Sequence, residues 1–124
     1  MNENTLFELT LFDPENTLIS RLEKQNIEFT KVPVTRKFVV AMDETIKIIS
    51  SDNNESLIDN LVLIFMDWLK ENSNRRLQVM LVDATIVIID NNDIEGIASI
   101  LQRSLKITAF DPEYNNRILN QNSV

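Results

Sequence analysis

RLQVMLVDATIVIID, residues 76–90, reads as two strands joined by a tight turn. β-branched and apolar residues fill both halves, and Asp83-Ala84 interrupts them. A second stretch, RKFVVAMDETIKIIS at 36–50, repeats the pattern at an offset of 40, with seven of fifteen positions identical. The shared Asp-x-Thr-Ile-x-Ile-Ile core is followed each time by an Asn-rich joint and a helical pattern, with Glu55 and Glu95 also in step. The chain therefore reads as two β-β-α units, 36–72 and 76–104, within one domain, 1–124. Two copies are too few for a solenoid, which needs at least three.

Outward from these units, 5–12, 27–34 and 105–110 read as strands. The hairpin strands are expected at 36–42, 45–51, 76–82 and 85–90. Pro33 places the end of the second strand at a sheet edge, because proline cannot donate to a ladder. The predicted fold is α+β: a mostly antiparallel or mixed sheet from the two repeated units plus flanking strands, with three main helices.

The tetrapeptide FDPE occurs twice, at 12–15 and 110–113. Aspartate is a good N-cap and proline suits the first helical position. The motif thus reads as a strand exit and helix start, opening a helix at 14–26 and a short one after Asp111. The functional alternative is an acidic pair of loops, in which Asp13, Glu15, Asp111 and Glu113 converge on a partner. It requires the two preceding strands to be parallel and adjacent.

The helix expected at 56–72 has a broad apolar face of Leu57, Ile58, Leu61, Val62, Ile64, Phe65, Trp68 and Leu69 at about 100° per residue. Asp59, Asn60, Asp67 and Lys70 lie opposite, yet Leu63 and Met66 fall among them. A helix apolar nearly all round is usually covered on both sides. Leu63 and Met66 are therefore either buried within the fold, the expectation for so small a patch, or an interface with another protein. Capping signatures precede both central helices, Asp52 with Glu55 and Asn92 with Glu95. In the helix expected at 93–104, Ile94, Ile97, Ala98, Leu101 and Leu105 share one core face.

Composition limits the chemistry. The chain has no cysteine and no histidine, which removes thiolate nucleophiles, the commonest general base and the usual transition-metal ligands. Its one glycine excludes a glycine-rich phosphate loop; the fifteen asparagines serve turns instead. DNNDIEG (90–96) fails as a calcium loop, with its glycine one place late and Leu101 where a bidentate glutamate belongs. The remaining carboxylates sit mostly at caps and turns, so no catalytic residue, cofactor or metal is expected. A carboxylate-based enzyme would need several of Asp13, Glu15, Asp43, Asp83, Asp111 and Glu113 to converge in a cleft.

The net charge of −7 opposes phosphate-neutralising contacts with nucleic acid and favours encounter with a basic partner. The basic residues Arg36, Lys37, Arg75, Arg76, Arg103 and Lys106 read as solvated strand edges. No signal peptide and no run long enough to span a membrane is apparent, so a cytoplasmic setting is expected.

The run WLKENSNRRLQVMLVDATIVIIDNNDIEGIASIL (68–101) resembles small effector-associated domains of bacterial conflict systems. The shared elements are a Trp-Leu helix end, a strand hairpin and a short Ile/Leu helix. The resemblance implies a non-catalytic adaptor that couples to an effector or sensor, and it transfers no functional residue. The expected function is a protein-interaction module. The alternative is an acidic immunity protein that neutralises a basic toxin. A homodimer through the long helix is a further possible form.

Overall fold

A computed structural model of the chain describes residues 5–13, 15–32, 44–91 and 96–112. The elements, in order, are β1 (Thr5–Phe12), α1 (Thr17–Lys24), β2 (Phe29–Lys31), β3 (Glu44–Ile49), α2 (Asn54–Glu71), β4 (Arg76–Leu81), β5 (Ile86–Asp90), α3 (Ile97–Gln102) and β6 (Ser104–Phe110). The strands form one mixed sheet in the order β2-β3-β1-β6-β4-β5. Every described pairing is antiparallel except that of β1 with β6. The α+β class with a mixed sheet and three helices is as expected from the sequence.

Strand alternation divides the sheet into two faces. Leu9 lies opposite Ile46 on one side and Ile107 on the other, Val79 opposite Ile107, and Leu77 opposite both Ala109 and Ile89. All of these are buried and share one core with Leu18, Leu22, Leu61, Phe65, Trp68, Leu69, Ile97 and Leu101 from the three helices. The helices therefore cover one face. The other carries Glu8, Thr10, Thr45, Lys47, Gln78, Lys106 and Thr108, with Met80, Ile86 and Ile88 toward the β5 edge.

The internal repeat is not established. Its second unit appears as the β4–β5 hairpin followed by α3. In the first, β3 pairs with β1 and β2 rather than with a hairpin partner of its own, and the strand expected at 36–42 lies outside the described residues. Apolar hairpins share composition for packing reasons alone, so sequence identity of this kind does not fix pairing.

Several boundaries move for local reasons. Asn16 takes the left-handed conformation at φ 56°, and its N–H bonds to Asp13 O at 3.0 Å, so a turn precedes α1 and delays the helix to Thr17. The cap of α2 is Asn53, whose side chain accepts from Ser56 N at 3.1 Å, one residue after the expected Asp52. Leu105 does not join a helical core face; it belongs to β6 and is exposed.

Candidate functional site

The two FDPE strands are parallel and adjacent. Phe12 lies beside Phe110, and Asp111 N donates to Phe12 O at 3.0 Å, carrying the ladder one step further. The geometric condition for two converging acidic loops is met, but both aspartates are buried and serve the fold. Asp13 accepts from Leu18 N at 2.7 Å and from the Thr17 hydroxyl at 2.8 Å, so it satisfies an N–H at the start of α1. Thr17 Oγ1 in turn accepts from the Trp68 indole at 2.9 Å.

Asp111 accepts from Arg75 Nε at 2.7 Å. Arg75 Nη1 also donates to Trp68 O at 2.9 Å and to Glu71 Oε1 at 3.1 Å, and the guanidinium lies 4.8 Å from the Trp68 ring centre. Arg21 reaches the other oxygen of Glu71. One connected set of polar contacts thus joins the start of α1, the end of α2, the start of β4 and the end of β6. Arg75 is buried within it, correcting its reading as a solvated edge residue. Its planar fork satisfies a carboxylate and a carbonyl together, which is what admits the charge to the interior.

The arrangement holds secondary structure together. Glu15 is exposed, and Glu113 and Asp43 lie outside the described residues. Asp83 sits in the β4–β5 turn, where its side chain accepts from Thr85 N at 3.0 Å; that bond, foremost, holds its carboxyl below the ordinary value. Among the described residues no group of three acids is placed to hold a metal ion.

The two apolar residues that break the polar face of α2 fare differently. Leu63 is 60% exposed, overturning its expected internal burial, whereas Met66 is half-buried and packs against the core. Exposed Asp59 and Asp67 stand one turn to either side of Leu63.

Sequence reasoning missed a larger apolar surface. Three of the five exposed large hydrophobic residues among those described, Val82 (69%), Ile86 (50%) and Ile88 (49%), lie on the β4–β5 hairpin, while Leu105 (47%) borders a cavity with Leu6 and Glu8 of β1 and Lys47 of β3. Ile86 lies opposite half-buried Met80, and Ile88 opposite Gln78, on the face without helices. Opposite Met80 and Leu81 the β6 register skips from Lys106 to Ser104, making Leu105 the extra residue of a bulge. Val82 N bonds to Arg103 O at 2.9 Å, tying the turn to the same end of β6. The signal was present in IVII (86–89): a strand apolar on both faces. A two-faced strand suits the middle of a sheet covered on both sides, yet this one is at the edge.

No protein-family model, curated protein or solved structure matches the chain. Among the described residues no helix is long and apolar enough to cross a membrane.

Proposed function

We propose that the chain is a non-enzymatic protein-interaction module, an adaptor-type component of a bacterial conflict system working in the cytoplasm. The observation that carries the reading is the apolar corner of the β4–β5 hairpin, where Ile86 and Ile88 are half-exposed on one face and Val82 is exposed in the turn. Aliphatic side chains exposed singly are ordinary, whereas two isoleucines on the same face of one strand support reading that face as a surface another protein covers. The burial of Asp13 and Asp111 in structural roles supports the same direction. The link to conflict systems rests on the resemblance over residues 68–101.

The test is capture of partners from host lysate by wild type, by Ile86→Asp/Ile88→Asp and by Leu63→Asp, at low and high salt, with circular dichroism to verify folding. The expected result is a specific partner effector or sensor, retained at high salt and by Leu63→Asp, and lost with the double variant. Partner binding indifferent to Ile86 and Ile88 would refute the assignment of the surface.

A second reading, an acidic inhibitor of a basic toxin, is favoured by Glu55, Asp59 and Asp67, exposed on α2 with Leu63 among them. It predicts a basic partner released by salt and by Leu63→Asp, since charge-led contacts are screened.

A further inference from the structure

We infer that the apolar corner takes a second copy of this chain, paired antiparallel along the outer edge of β5, beside which no further strand lies among the described residues. The inference rests on reading that corner as an interface, and it names the occupant.

The two edges of the sheet are built differently. β2 has three residues, carries Lys31, and is followed two positions later by Pro33. Shortness, lysine and proline are the usual means of keeping an edge from pairing. β5 has none of them. It runs five residues without lysine, arginine or proline, and its pairing with β4 is regular from Arg76–Asp90 to Met80–Ile86. Ile86 and Ile88 are half-exposed on one face, and Val87 is only half-buried on the other. An edge left in this condition is a template for another strand.

The strand is also complementary to itself. A two-fold axis through Val87 sets Val87 against Val87 of the second copy, Ile86 against Ile88 in both directions, and Thr85 against Ile89. Like-parity residues meet, so both helical layers lie on the same side of one continuous sheet. Asp83 and Asp90 fall outside the span 85–89, and no like charges are opposed. Aliphatic pairs of this kind are the stabilising unit of a sheet.

The interface is small. A five-residue edge is far short of the roughly 20–30 residues a side of a standard stable interface. The expected dimer is therefore weak.

Sedimentation equilibrium of the purified chain from about 10 μM to 1 mM reads this directly. The expected result is a mass rising from one chain to two and stopping there. Ile88→Lys, at a half-exposed position that leaves the core intact, should weaken association at least about tenfold, whereas Leu63→Lys should not. Hydrogen exchange at the outward amides of 85–89 should slow as concentration rises. A single-chain mass throughout, a dimer indifferent to Ile88→Lys, or growth beyond two chains would each overturn the inference. A monomeric wild type whose Ile86→Asp/Ile88→Asp variant still loses its partner would remove self-pairing and leave the interaction reading standing. Loss of both would remove both.

Discussion

Arg75 Nε donates to Asp111 Oδ2 at 2.7 Å with both side chains almost entirely withdrawn from water. The pair joins the entrance of β4 to the exit of β6, two strands that are neighbours in the sheet. Its energetic weight lies less in attraction than in what remains if one member is lost.

Arg75→Met should destabilise the fold by about 3–5 kcal/mol, because the Asp111 carboxylate is left buried without its charged partner. Arg75→Met/Asp111→Leu should recover much of that loss. Urea unfolding of wild type, Arg75→Met, Asp111→Leu and the double variant forms the cycle, and equal losses in Arg75→Met and the double variant would contradict it.

Thr17→Val should cost about 1–3 kcal/mol, since one hydroxyl serves both Asp13 and the buried Trp68 indole. The near-ultraviolet circular dichroism band of the only tryptophan should change with it. Thr17→Ser, which keeps the hydroxyl, should stay close to wild type in both readings.

Ala84 occupies the β4–β5 turn at φ 71°, a conformation its Cβ disfavours. Ala84→Gly should therefore stabilise the protein by about 0.5–1 kcal/mol, even though glycine loosens the unfolded chain. A fall in urea midpoint would show that contacts of the methyl group outweigh the backbone strain.

Acid should weaken the α1–α2 junction. The hydrogen bond from Arg21 is the foremost cause holding the Glu71 carboxyl below its ordinary value of 4.5. A depressed folded value means that the unfolded chain binds the proton first as pH falls. The contribution of Glu71 is thus complete above about pH 4.5 and lost as pH drops through the lower folded value. Glu71→Gln should flatten that part of the stability–pH curve, and an unchanged slope would rule the pair out as its source.

The elements most legible in the sequence were those with a strong local pattern. β1 coincides with its expected limits of 5–12, and β4, β5 and α2 fall within two residues of theirs. α1 began late because Asp13-Pro14 reads as a cap and first helical residue, whereas the chain first makes a turn that ends at left-handed Asn16. The pairing of β3 followed tertiary neighbours that no local period encodes. The buried Arg75 was hidden for a related reason: Arg75-Arg76 reads as a surface pair, and only the side chains they meet separate one from the other. Leu63 stood out because it broke a helical pattern. Ile86 and Ile88 did not, because four consecutive apolar residues also describe an ordinary central strand.

The parallel pairing of β1 with β6 has a consequence for how the chain reaches this state. Glu8 and Lys106, roughly a hundred residues apart, lie side by side in the middle of the sheet, whereas the connections made early in the chain lie toward its flanks. A ribosome-bound chain that has not released β6 holds two half-sheets with their shared centre missing. Folding must then wait for the closure of nearly the whole chain, and loss of 104–110 would divide the sheet rather than trim it.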